Sequence, residues 1–215
     1  MRDVRKLWFV AACVLPVLAM GLPAWGATDV EVRLIPQTSA TANNPPLPLE
    51  TETLDPDTLT VGPADPFVIE FWVSDVADDA QVRGVIGAYV DITWDVALAD
   101  AAAVTDYVNH DHPYWGFQEG VTDSPNRIVT NFGGSTTDLI GYGLDPNWVR
   151  VGFVNFTATG EGEINFNPSL GLGGFGVYGD VPGDIEYNGC TVITPEPASL
   201  ALLALGGLVG LRRRR

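Results

Sequence analysis

The chain has 215 residues, 46% of them hydrophobic and only 18% charged, with 27 acids against 11 Lys and Arg and a formal net charge of −16. Seven of the basic residues fall in the two terminal segments, so residues 27–194 hold four arginines (Arg33, Arg83, Arg127 and Arg150), no lysine and 25 acids, a net charge of −21. A field of that sign and size repels phosphate backbones and anionic lipid surfaces; it excludes nucleic-acid binding and favours solubility and divalent cations.

At the N-terminus, Arg2, Arg5 and Lys6 precede an apolar stretch from Leu7 to Leu22. Small residues at Ala24 and Gly26 then occupy the −3 and −1 positions for cleavage before Ala27. This predicts a secretory signal peptide over residues 1–26, removed by signal peptidase. Cleavage before Cys13, as in a lipoprotein, would leave an apolar core of only six residues, with a further apolar stretch after the cysteine. The longer signal is preferred. Loss of Cys13 leaves Cys190 alone, so no disulfide can form within the domain. Cys190 reads as a small apolar residue of the final strand.

Residues 27–194 read as one domain of strands. Segments alternating at period two with aromatic and β-branched residues are Val30–Ile35, Phe67–Val73, Val85–Trp94, Trp148–Thr157 and Glu163–Asn167. In the fourth, Val149, Val151, Phe153 and Asn155 are expected on one face and Arg150, Gly152, Val154 and Phe156 on the other. Shorter candidates are Thr58–Val61, Arg127–Asn131, Phe175–Tyr178 and Asp184–Ile193. The Pro-rich insertion Gln37–Pro66 is expected to be extended and exposed, not a second domain. Only the Ala-rich stretch Val96–Tyr107 predicts a short helix. Frequent turn residues (Asp78-Asp79, Gly133-Gly134, Gly173-Gly174, Asn188-Gly189) between short strands give an all-β fold, an antiparallel β-sandwich of cohesin-like or jelly-roll-like form.

The stretch Phe67-Val-Ile-Glu-Phe-Trp-Val-Ser-Asp75, followed after an acidic loop by Val85-Ile-Gly-Ala-Tyr-Val-Asp-Ile-Thr-Trp-Asp95, resembles the second and third strands of cohesin domains. Val151–Gly160 and Gly162–Phe166 are similar to a late strand, Gly turn and next strand of the same fold. The resemblance implies a sandwich. It does not carry dockerin binding with it, because no cellulosome partner motif accompanies these residues, and the insertion Gln37–Pro66 departs from the pattern.

Several clusters offer chemistry. Asp75, Asp78 and Asp79 crowd one turn, and hard oxygen ligands at that density suit calcium, although no EF-hand loop is present; the competing reading is a solvated acidic rim. His110 and His112 stand at i and i+2 around Asp111, but no third ligand or HExxH motif completes a zinc site. Tyr114 and Trp115, with Phe117, are candidates for stacking on sugar rings, or for plugging one end of the sandwich. Glu161 with Glu163, and Glu70 with Asp91, are the carboxylate pairs nearest to what glycoside hydrolysis needs. A secreted carbohydrate-active hydrolase is therefore the alternative to a non-enzymatic binding or structural module.

The C-terminal residues read Pro195-Glu196-Pro197, then an uncharged apolar run Ala198–Leu211, then Arg212, Arg213, Arg214 and Arg215. The run has no polar face beyond Ser199, which argues for a membrane helix against an amphipathic one. As a helix its fourteen residues reach about 21 Å, short of the roughly 30 Å hydrocarbon core, so the anchor suits transient retention. The arginines belong on the cytoplasmic side, with everything before Pro195 outside. This three-part tail resembles the PEP-CTERM sorting signal of bacterial surface proteins. The resemblance implies an exosortase-type sorting enzyme as partner, sorting residues at Pro195–Pro197 and Arg212–Arg215, and a cell-surface or extracellular-matrix destination beside exported polysaccharide.

Overall fold

A computed structural model describes residues 29–42, 49–77, 84–104, 116–136, 140–177 and 182–196. Within them lie twelve strands: β1 Val30–Gln37, β2 Glu50–Thr51, β3 Thr58–Thr60, β4 Pro66–Asp75, β5 Val85–Trp94, β6 Ala99–Ala101, β7 Glu119–Asp123, β8 Ile128–Ser135, β9 Trp148–Ala158, β10 Gly162–Val177, β11 Ile185–Asn188 and β12 Cys190–Thr194. The described residues contain no helix. The expected signal and membrane helices fall in 1–28 and 197–215, outside the described residues.

The strands form two sheets. The first runs β11-β1-β4-β9-β2, with β6 also on β9; the second runs β3-β12-β10-β5-β8-β7. Pairing is antiparallel except for β1 with β11 and β3 with β12. Alternation explains the packing: Phe67, Ile69, Phe71 and Val73 of β4 face Val90, Ile92 and Trp94 of β5 across one core, all at most 3% exposed. Ring contacts join the sheets, with centroids 6.0 Å apart for Phe67–Phe166 and 5.3 Å for Trp94–Phe156. Each such side chain contributes about 1.5–3 kcal/mol by leaving water.

Four expectations are corrected. The strict alternation of β9 fails at a bulge: Phe71 pairs with Gly152 but Trp72 with Arg150, leaving Val151 as the extra residue. The core face is therefore Val149 and Val151, then Val154 and Phe156, while Phe153 turns outward beside Arg150. The helix expected from Val96 is absent as far as Val104, where the described segment ends. Instead Ala99–Ala101 pairs with β9, and both backbone groups of Ala101 bond Ser124 Oγ. Pairing to a waiting edge outweighs alanine's helix propensity, a small preference that tertiary contacts override. The candidate strand Asp184–Ile193 is two strands, switching from the first sheet to the second at Gly189, where a Cβ would lie 2.2 Å from the Phe166 carbonyl oxygen. Finally, the insertion Gln37–Pro66 is not wholly exposed: its extended segments β2 and β3 pair at the sheet edges, and Val61 joins the core at 6% exposed.

Candidate functional site

The chain leaves the sandwich through β12, which lies between β3 and β10. Its last residue, Thr194, pairs opposite Gly162 and is 1% exposed; Pro195 is half-buried and Glu196 is exposed. Three inter-sheet turns surround this exit and lock to one another. Val61 N donates to the Ile193 carbonyl, Ala64 N to that of Ala158, and Thr159 N to that of Leu98. Leu98 fills the space beside Gly160 and Gly162, where added Cβ atoms would lie 2.5 and 2.9 Å from its methyls. The motif Pro195-Glu196-Pro197 therefore starts with no spacer after a paired, buried residue. Pro197 and Arg212–Arg215 lie outside the described residues, as do Ala24, Gly26 and Ala27 of the expected signal cleavage.

At the opposite end stands Asp75, 3% exposed. Its Oδ1 accepts from Ala77 N at 3.2 Å and its Oδ2 from Gly84 N at 2.8 Å, so the carboxylate ties together the two ends of the acidic loop. Charge-assisted bonds to amides make it a structural clamp. Asp78 and Asp79 lie outside the described residues. Among those described, no group of three or more His, Cys, Asp or Glu is placed to hold a metal. His110, His112, Tyr114 and Trp115 also fall outside.

The sequence reading missed a buried polar cluster on the outer face of the first sheet. Glu70 Oε1 accepts from Arg150 Nη1 at 2.5 Å and from Thr41 N at 2.6 Å; Glu70 Oε2 accepts from Trp72 Nε1 at 2.9 Å and from Thr41 Oγ1 at 3.2 Å. Arg150 also donates to the Thr41 carbonyl, and its backbone N to that of Leu49. Glu70, Trp72 and Arg150 are at most 3% exposed, because the segment around Thr41 and Leu49 lies over them. A groove of about 260 Å³ runs alongside, between Ile35, Leu54 and Trp72 and the polar Gln37, Thr53 and Asp55. The available signal was the rarity of arginine here, together with the placing of Arg150 and Glu70 in the middle of apolar strands.

Of the two carboxylate pairs, Glu70 and Asp91 are not brought together. Glu70 faces out from the first sheet in its ion pair, whereas Asp91 faces out from the second, where its Oδ1 accepts from Asn131 N at 2.7 Å. The core separates them. Glu161 sits in the exposed β9–β10 turn and Glu163 on the exposed side of β10.

No curated protein matches the sequence. Solved structures with a similar strand arrangement include the CaCohA2 domain from Clostridium acetobutylicum, at 12% identity and a TM-score of 0.46, covering 79% of this chain and 94% of that one. Another is the sixth cohesin of Acetivibrio cellulolyticus scaffoldin B, solved with a Cel5 dockerin, at 13% identity and a TM-score of 0.46 over 79% of this chain and 100% of that one. A type II cohesin domain from the cellulosome of Acetivibrio cellulolyticus shows 12% identity and a TM-score of 0.43 over 77% and 94%. Likenesses this distant carry no argument about partner or ligand. The tail is a different matter: residues 194–215 match the PEP-CTERM protein-sorting motif, which thus begins at the last residue of β12.

Proposed function

We propose that this chain is an exported surface or matrix protein, retained by its C-terminal apolar run and sorted by an exosortase-type enzyme that recognises Pro195–Pro197. Its sandwich then serves outside the cell as a non-catalytic binding or structural module. The observation that carries the reading is the sorting motif at 194–215, placed directly after a completed β-sandwich. The basic and apolar N-terminus supports export. The short run ending in four arginines supports a transient anchor, with snorkelling side chains closing part of the thickness gap. The separation of Glu70 from Asp91 supports a module without glycosidase chemistry, since both hydrolytic geometries need two carboxyls flanking one bond.

Fractionation of the native host tests this. Deleting Ala198–Arg215 from the Glu196→Ala form, which should stay uncut in the envelope fraction, should move the folded protein into the medium, because the apolar run supplies the retention. A deleted form that stayed in the membrane fraction would show that something else holds the protein there.

A further inference from the structure

The spacer between the fold and the apolar run is three residues, Pro195–Pro197. Fully extended they span about 10 Å. Headgroups occupy roughly 5–7 Å on each side of the hydrocarbon core. Thr194 cannot lengthen that tether while it stays paired with Gly162 and buried. Resting on the anchor reading above, we propose that in the anchored precursor the sandwich stands end-on against the lipid headgroups. The contact surface is the three turns around the exit: Val61–Asp65, Asp95–Leu98 and Thr159–Glu161.

These turns fit a headgroup layer on the apolar side and oppose it on the charged side. Their exposed tips include Pro63, Ala64 and Ala97, with no lysine and one nearby cation, Arg127, whose guanidinium donates to the Asp95 carbonyl. The turns themselves carry exposed Asp65, Asp95 and Glu161, and exposed Glu163 and Glu196 stand beside them. Near anionic lipid each of these carboxylates is repelled. The tether therefore holds a surface that would not bind the membrane by itself, and cutting the tether frees it. The same geometry means that a membrane enzyme reaching Glu196 meets these turns, because no free chain separates motif from fold. The opposite end of the first sheet, with Asp184, lies about 33 Å farther away, the length of the ten-residue β4.

Single cysteines at Ala97→Cys and Asp184→Cys, both exposed sites, carry an environment-sensitive fluorophore in the chain without its signal peptide, reconstituted into phosphatidylcholine vesicles holding a headgroup nitroxide lipid. Cys190 stays unlabelled: it is 5% exposed, and burial, with the Asp57 charge, pushes its thiol well above the usual range. The expected result is loss of most of the fluorescence at Ala97→Cys and none at Asp184→Cys. A twelve-residue Gly-Ser spacer after Thr194, with a reach of about 19 Å, should restore the Ala97→Cys signal. If the protein floats with the vesicles but both sites quench alike, or the spacer changes nothing, end-on docking is wrong and the anchor stands. A protein that does not float overturns the anchor reading, and the docking with it.

Discussion

On the outer face of the first sheet, Glu70, Trp72 and Arg150 are at most 3% exposed beneath the chain around Thr41 and Leu49. On the outer face of the second, a polar row of Thr58, Thr191, Asn165 and Asp95 meets solvent, and farther along β10, where its pairing to β5 breaks register, Leu170 and Leu172 stand 57% and 97% exposed. A covered face that keeps charges must supply every partner from the sheet itself or from its cover, as Arg150 and Trp72 do from the sheet and Thr41 from the cover, because an unpaired buried ion is costly. An open face lets water do that work. The Pro-rich insertion is thus the cover that makes a buried ion pair tenable, and the two faces differ in what a substitution should cost.

The largest effect is expected under the cover. Arg150→Met leaves the Glu70 charge buried without its partner and should lose about 3–5 kcal/mol of stability in denaturant unfolding. Adding Glu70→Leu should recover most of that loss. A double variant as unstable as the single one would show that packing against Phe153 and Trp72, not charge, holds the cover. In the second sheet, Gly133 allows a close approach: its φ is +157° and a Cβ would lie 1.9 Å from the Ala88 carbonyl oxygen. Gly133→Ala should cost about 1–3 kcal/mol by forcing β5 and β8 apart, seen as a lower unfolding midpoint.

Smaller effects belong to the open face. At Asp95, burial works against the charge, but the hydrogen bonds from the Asn165 side chain and backbone outweigh it and hold the carboxyl below its usual range. Its stabilising contribution is present above the unfolded carboxyl pKa and is lost as pH falls through the lower folded value. Asn165→Ala should raise the Asp95 titration midpoint in an NMR titration; an unchanged midpoint would remove the side-chain bond as a cause. Leu172→Ser, at the most exposed large apolar residue among those described, should change stability by no more than about 0.5 kcal/mol. A larger loss would mean this face is covered in solution.

The sandwich was legible in the sequence where period two is unbroken. Val85–Trp94 matches β5 residue for residue, and Phe67–Val73 lies within β4. It failed where long-range pairing decides. A bulge at Val151 reverses the faces of β9 without any local sign, and Ala99–Ala101 joins a sheet edge in place of a helix. The edge strand β7 reads as loop because Gly120 and its acids dilute the alternation. Glu70 and Arg150 are 80 positions apart, so their pairing is a property of the β4–β9 register, not of either segment. The sorting tail was the most legible feature, because its three parts are contiguous.

The central claim, that Pro195–Pro197 is cut by a sorting enzyme at the edge of a folded domain, is tested most directly by mass spectrometry of the C-terminus in the native host. Wild-type protein should end near Glu196 and lack the apolar run and the arginines. The Glu196→Ala variant should be exported yet keep its tail intact in the membrane. A mature wild-type protein still carrying Arg215 would show the tail to be a plain anchor and contradict the account.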